Sequence, residues 1–305
     1  AAPPAPGART ARVAPDPALD ETCKYHILGY GFGCTPTAGV AYGRLSVPLL
    51  PGKGRDGDLP KDVSQGDLGD CYLLAPLASL SNKSPAFIRR MVRDNGDGTF
   101  DVTFYRKQSS LEAARAAAAS SPPSESYLDE ARRVLAAARN PGMTATTMRV
   151  RGTVPEDDTG PVYAQADEHS WVAVVEKAYA ALHGGSYAVI GDGGDAGDAM
   201  TELTGRASAD EDADKVTARR LADLDRRGYA VVAMTRHDDD AQVKKDPLFT
   251  GKSLIPGHEY WVESVDPRKG TVTLGNPWGW DERHVTLTER QFQTDMLFVF
   301  ENPVR

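Results

Sequence analysis

The sequence predicts an α+β chain, with helices gathered in its first two thirds and strands concentrated toward its end. Three observations carry this. Leu73, Leu74, Leu77 and Leu80 recur on one face of a 3.6-residue period, directly after a turn containing Gly66 and Gly69. Trp171, Val174, Val175, Ala178, Tyr179 and Leu182 repeat that period in a second helix reaching His183. Stretches 229–234, 258–265, 271–276 and 296–300 read as strands, two of them separated by Asp266-Pro267-Arg268-Lys269-Gly270, which is turn chemistry.

Taken in order, residues 1–20 are rich in Ala, Pro and Arg and read as a disordered lead-in. It fits the remnant left by a removed secretory signal, or a cut within a longer protein. Cys23 and Cys34 flank a short segment with three glycines. In an exported chain these two would form one disulfide and leave Cys71 as a free thiol; in a reducing compartment all three would be free. The pairing arithmetic leans toward export. Residues 25–61 read as irregular wrapping. Asp94–Gly98 is a turn leading into a strand with Phe100, Val102 and Phe104 on one side. From 107 to 146 the composition shifts to Ala, Ser and Arg. Leu128, Ala131, Leu135 and Ala138 predict one surface helix there, ended by Asn140-Pro141-Gly142. A further strand follows at 148–154. Ser170 is placed to cap the second long helix and Gly184 to end it. The Gly-rich, acidic loop 192–198 reads as solvated. Residues 215–227 predict a helix stopped by Gly228.

The chain has 305 residues, 40% hydrophobic and 26% charged, which is ordinary for a globular protein and long enough for two domains. No run of 18 apolar residues occurs, so no membrane-spanning helix is expected. Thirty-five basic against 43 acidic residues give a net charge of −8 without a basic stripe, which argues against nucleic acid as a partner. Composition leaves the oligomeric state open.

Cys71 stands where turn becomes helix, with Asp70 as the expected N-cap. The positive helix end and its unpaired amides favour thiolate. Gln65, across the turn, is placed to aim its amide beside the sulfur, and the Cys71 N–H is a second donor for an oxyanion. A lone cysteine before a leucine run is more often a buried hydrophobe. The later strands supply what would change that reading. His258, Tyr260, Val262 and Ser264 alternate onto one face. If the hairpin turns through an odd-numbered loop, Asn276 projects from the face of His258, opposite or offset by two residues. An even loop without a bulge would separate them. Together Cys71, His258 and Asn276 supply nucleophile, base and orienter.

The string Gln65-Gly-Asp-Leu-Gly-Asp-Cys71-Tyr-Leu-Leu-Ala resembles the active-site segment of the calpain family of papain-like cysteine proteases. Gly257-His258-Glu-Tyr-Trp-Val and Gly275-Asn276-Pro-Trp278-Gly279 resemble its His and Asn segments. Trp171–Gly184 and Leu203-Thr204-Gly205 resemble a second signature and the end of its first lobe. Tyr72 replaces a usual Trp and Pro76 a usual Ala, where a local bend is expected. The resemblance implies a papain-like two-lobed calpain protease core, with a helical lobe and a β-rich lobe around a cleft. It divides the chain into an extension (1–44), a Cys lobe (45–205, with 107–146 as an insertion) and a His/Asn lobe (206–305). It implies peptide hydrolysis of protein or peptide substrates through a thioester, Gly69 lining the substrate side and Trp278 shielding the His–Asn bond. It also implies calcium, with Gly57, Asp62 and Glu168 at one site and Glu282 at a second, and no organic cofactor. An inactive calpain-like binding module and a Cys-His acyl transferase are the alternatives.

Overall fold

The computed structural model describes residues 12–19, 22–26, 31–35, 39–120, 127–139, 142–279 and 284–304. β1 (Thr22–His26) and β2 (Gly31–Thr35) pair antiparallel, with the backbone of Cys23 opposite Cys34; their side chains lie outside the described residues. β3 (Ala41–Arg44) and a 3-10 helix at Asp56–Asp62 follow, ordered elements in a stretch expected to be irregular. Next come α1 (Cys71–Lys83), α2 (Pro85–Met91), β4 (Val92–Asp94) and β5 (Thr99–Lys107). Two helices then stand where one was expected, α3 (Ser110–Ala119) and α4 (Tyr127–Arg139), packed on each other. α3 is Ala-rich and has little apolar period. Its Ser109–Glu112 capping box supplies the start signal instead. β6 (Met143–Arg151) then pairs with β5 along its whole length, so the two helices cap an antiparallel hairpin. β7 (Thr153–Asp157), β8 (Gly160–Pro161), α5 (Trp171–Leu182), α6 (Tyr187–Ile190) and α7 (Ala196–Thr204) complete this part.

The remaining elements are β9 (Ala209–Asp212), α8 (Ala218–Arg226), β10 (Tyr229–Thr235), α9 (Pro247–Thr250), β11 (Glu259–Asp266), β12 (Thr271–Gly275), β13 (Val285–Thr288), α10 (Glu289–Asp295) and β14 (Met296–Pro303). They build a six-stranded antiparallel sheet in the order β13-β12-β11-β10-β14-β9. The mixture of helices and antiparallel sheets is the α+β class read from the sequence.

Strand alternation splits the interior in two. On β10 and β11, Ala230, Val232 and Trp261 face a cluster shared with α1, α5 and α7. Val231, Ala233, Tyr260 and Val262 face a second cluster with Leu221, Leu224 and Phe292. α1 is therefore buried on nearly every side, and it runs through Pro76 as one helix. Ser79, inside α1, joins it to the sheet: its hydroxyl accepts from Val231 N–H (2.9 Å) and donates to Val231 C=O (3.1 Å). That tether fixes the height of Cys71 above β11.

Candidate active site

The hairpin β11–β12 turns through four residues, 267–270, an even loop that would by itself put 258 and 276 on opposite faces. A bulge at Glu263 inserts one residue and restores the parity, pairing Trp261 with Gly275. It also breaks the expected alternation after Val262, leaving Ser264 exposed. His258 and Asn276 thus fall two positions out of register on one side, and His258 Nε2 lies 2.9 Å from Asn276 Oδ1. The backbone N–H of Trp278 also bonds that oxygen (3.1 Å). An amide N–H can only donate, so the atom is an acceptor and His258 Nε2 must carry its proton. In the neutral ring Nδ1 is then the bare lone pair, the atom a general base needs. The ring of Trp278 packs 5.0 Å from the imidazole and Tyr260 meets it edge-on at 5.1 Å. Burial behind these rings holds His258 down at about 4, against a smaller opposing effect of Asn276.

Cys71 opens α1 and keeps partial solvent access. The backbone N–H groups of Glu259 and Tyr72 lie near enough to the sulfur to lower the thiol's pKa. Glu259 follows His258 in the chain, which brings the segment carrying the base to the start of α1. The thiolate expected from the helix terminus is not the resting form. Burial pushes the thiol up to about 12, with the Glu259 and Asp70 carboxyls adding to it and the two amides opposing. Helix end and amides together are outweighed by the loss of water. A neutral thiol facing a neutral imidazole follows.

Asp70 occupies the N-cap position, but its side chain makes no capping bond. It is buried near Glu176 of α5, whose carboxyl it raises. Two carboxyls in contact in a dry site share a proton, and Glu176, which also accepts from Ala164 N–H (3.1 Å), is held well above the usual range. Ser170 likewise makes no side-chain cap at α5; its hydroxyl donates to Pro48 C=O.

Gln65 donates one amide proton to Leu68 C=O (2.6 Å), which leaves its second N–H for a ligand. The Gln65 backbone N–H donates to Pro277 C=O (2.8 Å) and Ser64 Oγ to Trp278 C=O (3.2 Å). These bonds stitch the Gln65 turn to the Asn276–Trp278 segment. Gly69 is needed as glycine: a Cβ there would lie 2.2 Å from Gly191 C=O. Its own C=O accepts from Gly193 N–H (3.1 Å), which seats residues 192–195 against the turn; 196–198, expected as solvated loop, instead open α7 with Ala196 and Gly197 buried. A depression of about 320 Å³ opens beside Asn276 and Trp278, bounded by Gly251, Lys252 and Tyr260.

The expected calcium ligands are arranged differently. Asp62 accepts from His169 Nδ1 (2.9 Å) and Trp171 Nε1 (2.8 Å), one bond to each oxygen. Glu168 is exposed and meets Arg55 at 3.5 Å, while Gly57 sits in the 3-10 helix with open space around it. An imidazole and a guanidinium stand where a divalent cation would need oxygen donors, so these side chains do not fit calcium as they are placed. No group of three His, Cys, Asp or Glu converges as metal ligands among the described residues. Glu282 lies outside them. Sequence reasoning passed over Glu259, Glu176 and His169, which make these contacts. Glu259 alone carried a signal, as a charged residue on the inward face of a strand that also presents Trp261.

No described helix is long and apolar enough to cross a membrane. Comparison with known proteins finds matches in this same stretch. A model of the calpain family of cysteine proteases matches residues 54–113 and 144–290, leaving out most of α3 and α4. The chain is 26% identical over 238 residues to Calpain-9 of Mus musculus, covering 72% of this chain and 28% of that one. It is 27% identical over 237 residues to Calpain-A of Drosophila melanogaster, covering 72% and 24%. Over 254 residues it is 26% identical to a calpain-type cysteine protease of Zea mays, covering 75% and 10%. The chain therefore spans between 10% and 28% of the length of these relatives. With over half of its length matched by the family model, it belongs to the calpain family of cysteine proteases.

Proposed function

We propose that the chain is a cysteine endopeptidase of two papain-like lobes, with Cys71 on one and His258 and Asn276 on the other. The observation that carries this is the 2.9 Å His258–Asn276 bond, on the residue next to Glu259, which acts on the Cys71 thiol. As the substrate carbonyl enters, the thiol proton passes to His258 Nδ1 while the S–C bond forms. The carbonyl oxygen becomes an oxyanion between the Cys71 N–H, which has no acceptor within its helix, and the second N–H of Gln65. Imidazolium protonates the leaving amine, the C–N bond breaks, and a thioester remains. His258 then takes a proton from water, hydroxide attacks, and the C–S bond breaks to restore the thiol. Asn276 keeps Nε2 protonated throughout, with Trp278 screening that bond from water. Asn276 in place of an acidic orienter favours hydrolysis over acyl transfer, and the intact Cys, His, Asn and Gln favour an enzyme over a binding module. Calcium at Asp62 has no part in this reading. Cys71→Ala should abolish cleavage of casein while leaving the fold intact by circular dichroism; casein cleavage at the wild-type rate would refute the assignment.

A further inference from the structure

Glu259 takes no part in the chemistry above except through its backbone. Its side chain shares the face of Trp261, toward α1, and is 3% exposed. Oε2 has no hydrogen-bond partner. A buried carboxyl oxygen without a donor is costly, and few persist without a reason. The carboxyl lies near enough to the Cys71 sulfur to raise that thiol, second only to burial. Asp195 acts on Glu259 in the same way, and no cation is among the groups that shift it. Asp195 is exposed, on the loop that Gly193 pins to Gly69 and that packs at Gly194 on Tyr72. One carboxyl, Glu259, thus lies beside the nucleophile, buried and short of a donor, and a second, Asp195, acts on it from the surface.

We propose that Glu259, with Asp195, receives the side chain of a Lys or Arg of the substrate, so that the enzyme selects peptides carrying a cationic residue beside the scissile bond. This rests on Cys71 being a peptide-cleaving nucleophile. A guanidinium or ammonium supplies the missing donor and its charge offsets two acids in a poorly solvated place. It also acts on the chemistry. The Glu259 carboxyl opposes negative charge on sulfur, and a bound cation offsets that opposition as the thiol proton leaves. The preference belongs in kcat/KM, because part of the interaction is made only as charge develops.

Paired peptide sets with Arg or citrulline at each position flanking the cleaved bond test this, since citrulline keeps the shape and removes the charge. Wild type should cleave the Arg member of at least one pair tenfold or more faster in kcat/KM. Glu259→Gln, which keeps the side-chain volume, should bring that ratio near one. Asp195→Asn, which preserves the α7 cap, should lower it partway. Cleavage of both members at equal rates by wild type, or an undiminished ratio in folded Glu259→Gln, overturns the inference and leaves the protease assignment standing. Failure of folded wild type to cleave any peptide overturns both.

Discussion

At the scale of single residues, the site depends on which partner each polar atom has already accepted. Asn276 Oδ1 holds two donors and so sets the tautomer of His258. Asp62 shows the same logic away from the cleft. With both oxygens engaged by His169 and Trp171, it ties the 3-10 helix at 56–62 to the start of α5. Exchanging the imidazole for a second carboxylate would invert the situation, because two acids in contact need a proton or a cation between them. His169→Glu is expected to lower Tm by several degrees in chelator and to regain it in millimolar calcium. Wild type should show the same Tm in both. A calcium-dependent rise in wild type would mean that Asp62 is a ligand after all. Cys71, Gln65, His258 and Asn276 could be picked out in the sequence because their flanking strings are distinctive. The partners of Asp62 and Asp70 could not, since nothing local to Asp62 announces a histidine 107 residues away.

Among the elements, periodicity served where an element buries one face and failed where it does not. α1 and α5 were readable from their apolar repeat, and the β-strands from alternation and turn residues. The bulge at Glu263 was not, because no residue type marks it, and yet it decides whether His258 and Asn276 share a face. α3 and α4 illustrate the opposite limit. Leu111 and Leu135 stand 58% and 56% exposed, and most of the pair falls outside the stretches that match the family model. β5 and β6 pair fully beneath them, from Thr99↔Arg151 to Lys107↔Met143. A two-residue turn can close such a hairpin. Replacing residues 108–142 by Asn-Gly should therefore leave casein cleavage within about threefold of wild type and Tm within a few degrees. Loss of cleavage in a folded deletion variant would place substrate contacts on the helical pair.

Over the whole molecule, the buried carboxyls make stability depend on pH. Glu259 is raised to about 8 by burial and by Asp195, and Glu176 is raised well above the usual range by burial and by Asp70. Folding thus retains two protons that the unfolded chain releases near pH 4.5. Their stabilisation is full below that pH and is lost as pH rises through the folded values. Each contributes a slope of about 1.4 kcal/mol per pH unit where only the folded state holds its proton. His258 works the other way. Lowered to about 4, it binds its proton more readily when unfolded, so it costs stability below pH 6.5. Asp295, raised to about 6 by burial, offsets the histidine up to that pH. Above 6.5 both glutamates act unopposed by the histidine, and stability declines until Glu259 ionises near 8. Denaturant unfolding should show that decline between pH 6.5 and 8. Glu176→Gln combined with Glu259→Gln removes both protons from the balance and keeps the volumes, so its curve should stay nearly flat above pH 6.5. A double variant that loses stability as steeply as wild type would mean that both acids are already ionised and solvated in the folded chain, and with that the buried carboxyl surroundings of Cys71 would be gone.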